Sequence, residues 1–170
     1  MEEMEVPTEH LSDEINESAK EARERKKWSF YVAISTALMA VFAAVTSLMA
    51  GHHSNEALIE QIKASDQWNY YQAKGIKAEI LSLSPSGSTD TSKLKKYNND
   101  QQQIKTVAED HENKSEEHLK KHLILARSVT LFQIAIAISA ISVLTEKRPL
   151  WYMSIILSIV GVAFFIANYI

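Results

Sequence analysis

The sequence SPSGSTD at residues 84–90 is a dense cluster of turn-forming residues. Pro85 cannot continue a preceding helix, and Asp90 or a neighbouring Ser or Thr can cap a following one. Residues 54–83 contain one glycine and no proline, and residues 91–125 contain neither. The cluster therefore predicts a reversal between two long antiparallel helices, each reaching about 45 Å at 1.5 Å per residue.

Charge is unevenly distributed around this hairpin. Lys, Arg, Asp and Glu are absent from residues 28–50, 128–145 and 150–170, and they are concentrated in the segments between. An uncharged run of roughly 20 residues matches the ~30 Å hydrocarbon thickness of a bilayer. We therefore predict an all-α membrane protein with three transmembrane helices, at 28–50, 128–145 and 150–170. The hairpin at 51–127 then forms a coiled-coil-like stalk between the first and second helices.

Basic and aromatic residues mark two boundaries of these runs. Four cations precede Trp28 and Tyr31, and two precede Trp151 and Tyr152; the cations are Arg23, Arg25, Lys26, Lys27, Lys147 and Arg148. Such flanks are typical of cytoplasmic boundaries. The tail at 1–27 is therefore expected in the cytoplasm, either as a short surface helix or as a solvated segment. The hairpin and the carboxyl terminus are expected on the opposite side.

Heptad spacing extends along both arms of the hairpin. The return arm carries Leu94, Tyr97, Gln101, Ile104, Ala108, His111, Ser115, His118, His122 and Leu125, and the same phase continues through Val129, Phe132, Ile136 and Ser139. The outgoing arm offers Leu58, Ile62, Ser65, Asn69, Gln72, Ile76, Glu79 and Leu83. This spacing predicts coiled-coil packing, in which polar seam residues fix register at a cost in stability. An isolated hairpin would be marginal, so we expect a homo-oligomer.

A second stripe on the outgoing arm comprises Trp68, Tyr71, Gly75 and Ala78. Two large aromatic side chains followed by a glycine predict a protruding surface beside a point of close approach. We interpret the stripe as an inter-subunit surface. The alternative is that it covers the hairpin's own seam.

The run SDQWNYYQAK at residues 65–74 carries a family resemblance. Together with a preceding helix that ends near the sequence GHH at 51–53, it resembles an uncharacterised bacterial membrane protein family, domain of unknown function 4337. The resemblance extends from about residue 28 onward. It implies a multi-pass protein of the bacterial inner membrane, and it brings no activity with it. In such a membrane, the orientation expected from the basic flanks makes the hairpin and the carboxyl terminus periplasmic or extracytoplasmic.

Histidines cluster at the base of the predicted stalk. A turn centred on residues 86–87 places His52 opposite His122 and Glu56 opposite His118, and the two residues on each arm share a helix face. Imidazoles with a carboxylate can bind a divalent metal such as zinc, copper or nickel. His53 can replace His52 if the register slips. The other interpretation is a simple Glu56–His118 ion pair at the membrane boundary.

Catalytic motifs are absent from the sequence, which has no cysteine, no glycine-rich phosphate loop and no serine-centred elbow. A net charge of −3 argues against nucleic acid as a partner. We therefore predict a non-enzymatic, self-assembling scaffold protein whose partners are the bilayer and its own copies, with no cofactor beyond that divalent metal. One alternative is an oligomeric channel or transporter lined by Gln133, Thr36 or Ser139. Another is a metal or pH sensor at the stalk base.

Overall fold

The computed structural model describes the backbone of residues 8–83 and 91–168 and the side chains of 13–83 and 92–168. The predicted turn at 84–90 lies outside these described residues. Three helices account for nearly all of the described chain: α1 is Thr8–Ser82, α2 is Thr91–Thr145 and α3 is Arg148–Ala167. No strand occurs in the described ranges. The predicted all-helical class is therefore confirmed.

The helices are longer than the segments recognised in the sequence. α1 combines part of the amino-terminal tail, the first apolar run and the outgoing arm, and α2 combines the return arm with the second apolar run. Proline is absent from both helices, so nothing in their sequences breaks the backbone hydrogen bonds. Each of the three helices is long and apolar enough, over part of its length, to cross a membrane.

The connection between α2 and α3 is a tight turn at Glu146 and Lys147. Glu146 has a φ of 53°, the left-handed conformation that commonly ends a helix. The hydroxyl of Ser142 donates a hydrogen bond to the carbonyl oxygen of Lys147 at 3.1 Å. Pro149 lies in the first turn of α3, where a missing N–H costs little.

The chain divides into two compact units. The apolar unit comprises residues up to Ala44 together with Ser128–Ala163, and the polar unit comprises Val45–Arg127 together with residues from Phe164 onward.

In the apolar unit, Phe132 is fully buried and its ring stacks on Phe42 at a centroid distance of 6.1 Å. A Cβ atom added to Gly161 would lie 3.2 Å from the Phe132 ring, so this glycine allows the ring to approach α3. Hydroxyl groups complete the contacts. Thr36 and Ser139 share a hydrogen bond of 2.6 Å, and Ser128 donates to the Gly161 carbonyl oxygen at 2.7 Å.

In the polar unit, all ten positions predicted for the return-arm seam are buried or half-buried. The seam predicted for the outgoing arm is wrong, since all eight of its residues are exposed. From residue 50 onward, the buried residues of α1 are instead four alanines and a glutamate: Ala50, Ala57, Glu60, Ala64 and Ala78. The prediction selected the larger aliphatic side chains. The helices pair through the smaller ones because a methyl group lets two backbones approach closely.

Candidate functional site

The polar seam is the set of polar side chains that lie between α1 and α2 in the polar unit. Three of them, spaced along α2, hydrogen-bond to backbone carbonyl oxygens of α1. Gln101 donates to Tyr71 at 3.2 Å, Ser115 donates to Ala57 at 2.8 Å, and His122 Nδ1 lies 2.9 Å from the oxygen of Ala50. On each helix, successive bonded residues are seven or fourteen residues apart. All three bonds are therefore compatible with one heptad register between α1 and α2.

Ala64 on α1 and Ala108 on α2 occupy the heptad step that these bonds leave open. Both residues are completely buried. Two alanines at this step leave no room for a larger side chain without separating the helices. The register is therefore defined by hydrogen bonds above and below a tight apolar contact.

This register differs by two or three residues from the predicted one. His118 lies against His53 where Glu56 was expected, and His122 lies against Ala50 where His52 was expected. His52 is exposed. The predicted set of His52, Glu56, His118 and His122 is therefore not assembled. Within residues 13–83 and 92–168, no three His, Cys, Asp or Glu side chains form a group that could hold a metal ion.

The imidazoles of His53 and His118 form a close pair. Their Nδ1 atoms are 3.0 Å apart and their ring centroids 5.3 Å apart. One Nδ1 must carry a proton and the other must accept it, so the contact requires at least one neutral ring. Burial lowers the pKa of His53, and the neighbouring charges of His118, His52 and Lys121 lower it further, against a smaller opposing effect of Glu117. The lowered pKa of His53 favours the neutral form of this ring.

A carboxylate, Glu60, is buried two helical turns beyond the histidine pair. Its oxygens accept hydrogen bonds from Lys63 Nζ at 2.7 Å and from His111 Nδ1 at 2.5 Å. These two bonds lower the pKa of Glu60 to about 2. Glu60 is 8% exposed, so its charge is tolerated only because both partners are present.

Lys74 and Asp100 form the second ionic contact of the polar seam, with a Nζ–Oδ2 distance of 2.7 Å. The lysine side chain also lies 5.3 Å from the ring centroids of both Tyr70 and Tyr97. The hydrogen bond to Asp100 raises the pKa of Lys74. Two tyrosine faces and a carboxylate thus surround one ammonium group, an arrangement that favours its charged form.

The stripe of Trp68, Tyr71, Gly75 and Ala78 contacts α2 of the same chain. Trp68 donates its indole N–H to Glu112 at 2.8 Å and meets the Tyr71 ring edge to face. A Cβ on Gly75 would lie 2.6 Å from the Gln101 side-chain nitrogen, and Ala78 is buried. These contacts correspond to the alternative in which the stripe covers the hairpin's own seam. The inter-subunit role of the stripe stays a prediction.

The polar residues named for a pore lie in different surroundings. Thr36 and Ser139 bond to each other, and Ser139 is fully buried. Gln133 lies on an exposed face of α2, within the second apolar run.

Sequence reasoning missed Glu60, Lys74 and Asp100 as seam residues. The signal that could have found them is the spacing of Ala50, Ala57, Ala64 and Ala78, which are separated by seven or twice seven residues. This alanine line defines the buried face of α1, on which Glu60 and Lys74 also lie.

Comparisons with known proteins place the chain in a family without adding a ligand or a reaction. No match is found among curated proteins or among solved structures. A family model described as Domain of unknown function (DUF4337) matches residues 28–170, which is most of the chain. The protein belongs to this family of unknown function.

Proposed function

We propose that the protein is a self-assembling structural or scaffold component of a bacterial inner membrane. In this proposal the three apolar runs cross the bilayer with the amino terminus in the cytoplasm. Beyond the bilayer, α1 and α2 form an antiparallel, coiled-coil-like hairpin that reverses at residues 84–90. The support for pairing is the set of cross-helix contacts, in which partner numbers on α2 fall as those on α1 rise.

The observation that carries self-assembly is an exposed aliphatic face on α1. We call it the outer stripe: Leu58, Ile62, Ile76 and Leu83, which are between 54% and 76% exposed. The polar seam already occupies the opposite side of this arm. Large aliphatic side chains repeated along one helix face in water favour an interaction surface.

A second copy of the chain is the occupant that this face fits best. Copies inserted in one membrane with the same orientation are parallel, so equivalent residues meet at equal height. The outer stripe keeps heptad spacing along its whole length. Ser65, Asn69 and Gln72 lie at its centre, where polar residues between parallel helices set the register.

The test is the mass of the full-length protein in lipid nanodiscs. We expect a defined oligomer for wild type, and a smaller species for a chain carrying both Ile62→Glu and Ile76→Glu. Leu119→Glu is the matched control, because Leu119 is an exposed aliphatic residue on α2, outside the outer stripe. A monomer at every concentration, or identical masses for the three proteins, would refute self-assembly through this face.

The exposed amide of Gln133 favours a second candidate function, an oligomeric channel or transporter. An uncompensated amide facing hydrocarbon is costly, so Gln133 is expected to meet another helix or water. Reconstituted liposomes test the candidate. Ion flux that Gln133→Leu abolishes would support a pore, and absence of flux from wild-type protein would exclude one.

The His53–His118 pair favours the third candidate, a metal or pH sensor. Calorimetry with zinc and copper on wild type and on His118→Ala is the test. His52→Ala is the matched control, because His52 is exposed and outside the pair. Equal, weak heats for all three proteins would defeat a metal sensor.

A further inference from the structure

A cavity of about 270 Å³ lies where the charged part of α1 meets its first apolar run. It belongs to the apolar unit, and both α1 and α2 form its walls. Its lining residues are Arg25, Lys26, Trp28, Ser29, Val143 and Glu146. Arg25 and Lys26 make part of the wall cationic, Glu146 is an anion paired with Arg25, and Val143 is apolar.

The polar groups of this cavity include an indole N–H without an acceptor. Nε1 of Trp28 is buried and has no hydrogen-bond partner among the residues that the structure describes. A buried, unpaired donor costs free energy, and a ligand oxygen that meets it when the indole turns towards the cavity would relieve that cost. Ser29 adds a hydroxyl that can donate to the same oxygen-rich group.

The charges around the cavity leave cations available for a ligand. Arg25 is shared between Glu146 at 3.3 Å and Glu21 at 3.6 Å, and these side chains are mostly exposed. In contrast, Lys26 forms no ion pair in the described part of the chain. The same is true of its neighbours Arg23 and Lys27. Glu24 is the remaining carboxylate on this turn of α1.

A second cavity of about 530 Å³ adjoins the first through Lys26. It is lined by Arg23, Lys26, Lys27 and Phe30. Phe30 lies two residues after Trp28, near the start of the first apolar run, and it is 62% exposed. Lys26 therefore lies between two hollows, each of which combines cations with apolar surface.

The geometry points to a binding site for an anionic phospholipid, with Lys26, Arg25 and the Trp28 indole N–H holding the headgroup phosphate. Phe30 and Val143 then contact the glycerol backbone and upper acyl chains. This inference rests on the membrane insertion proposed above, because only then does the site lie at headgroup level. Basic pockets beside membrane helices are suited to anionic headgroups, since each Lys or Arg attracts them electrostatically.

The experiment counts lipids that remain bound to full-length protein in native mass spectra. The probes are dioleoylphosphatidylglycerol and dioleoylphosphatidylcholine, added separately at equal concentration. We expect phosphatidylglycerol to be retained preferentially, and we expect Lys26→Gln and Arg25→Gln each to weaken its retention about fivefold. Trp28→Phe replaces the indole with a smaller aromatic ring that has no N–H, so it should weaken retention with no change in α-helix content.

Lys77→Gln is the matched control, because Lys77 is an exposed cation on the distal part of α1. It should retain phosphatidylglycerol as wild type does. Equal retention of the two lipids, or a chain with all three substitutions that behaves like Lys77→Gln, would overturn the site.

Inorganic phosphate separates the two sources of a phosphate ligand. We expect 10 mM phosphate, roughly ten-thousandfold above micromolar lipid, to leave bound phosphatidylglycerol in place. Displacement of the lipid with the same dependence on Lys26 and Arg25 would show a soluble-phosphate site and overturn the lipid assignment.

Flotation with pure phosphatidylcholine vesicles distinguishes failure of this site from failure of the membrane proposal. Wild type and all variants should float. Protein that does not float refutes membrane insertion, whereas protein that floats and retains both lipids equally refutes the lipid site alone.

Discussion

Both units contain contacts between α1 and α2, but the polar groups that make these contacts differ between the units. In the polar unit, ionisable pairs link α1 and α2, as between Glu60 and His111 or between Lys74 and Asp100. In the apolar unit, hydroxyls form the links, as between Thr36 and Ser139. A hydroxyl can satisfy itself on a nearby backbone or partner in hydrocarbon, whereas an ion there is very costly. The polar group at each contact thus matches the solvent proposed for its segment.

The two units resemble each other in using small residues where backbones approach. Ala64 and Ala108 are completely buried in the polar unit, and Gly161 admits the Phe132 ring in the apolar unit. Both contacts therefore depend on shape, and substitutions that change side-chain volume should have the largest effects.

The largest effect is expected for Phe132→Ala. This change leaves a cavity between α2 and α3 and removes the stacking on Phe42. We expect a loss of about 3 kcal/mol in the free energy of unfolding. This is the low end for the substitution, because the proposed membrane setting puts lipid or detergent in place of water around the unit. Reversible unfolding in mixed detergent, followed by circular dichroism, measures it. Ile134→Ala, at an exposed position on the same helix, should change little.

Ala64→Leu should have the next largest effect, about 2 kcal/mol, because the three added carbon atoms cannot be placed between α1 and α2 without separating them. The measurement is thermal unfolding by circular dichroism. Ala73→Leu is the matched control, since Ala73 is an exposed alanine on the same arm. Equal melting temperatures for the two variants would contradict the alanine-lined contact.

A pH-dependent effect is expected for Glu60. Its folded pKa of about 2 lies below the ordinary value of 4.5, so it stabilises the fold above pH 4.5 and this contribution disappears as the pH falls towards 2. The wild-type melting temperature should fall more steeply over this interval than that of Glu60→Gln. Parallel curves would show that Glu60 gains nothing from Lys63 and His111. The apolar unit has no comparable carboxylate among its described buried residues.

The smallest effect is expected for the hydroxyl pair of the apolar unit. A double-mutant cycle with Thr36→Val and Ser139→Ala should give a coupling energy of about 0.6 kcal/mol, which is typical of hydrogen bonds between membrane helices. Unfolding in mixed detergent supplies the four free energies. A coupling energy above about 2 kcal/mol would contradict the view that the hydroxyl links of the apolar unit are weaker than the ionisable pairs of the polar unit.

The buried face of α2 was predictable because its seam residues are the larger ones on that face. Leu94, Ile104 and Leu125 mark the heptad line, and the polar residues between them share its phase. The face of α1 was misassigned for the opposite reason. Leu58, Ile62 and Ile76 form a line as regular as that of Ala50, Ala57 and Ala64, and spacing alone does not distinguish two parallel lines on one helix.

The candidate site followed from this choice of face. Moving α1 by two or three residues exchanges Glu56 for His53 opposite His118, and it turns Trp68 and Tyr71 towards α2. Sequence spacing predicted that histidines of α1 and α2 lie near one another. Which residue faces each histidine depends on the register between the two helices, which spacing alone did not determine.

Composition and periodicity alone determined the helical class, the three apolar runs and the buried line on α2. These are properties of single helices, and the spacing of apolar and charged residues along the sequence is enough to predict them. The tertiary structure decided which face of α1 meets α2, which residues share the polar seam, and that the outer stripe lies away from that seam. Those outcomes depend on how closely two backbones approach, and a row of alanines allows that approach where leucines and isoleucines do not.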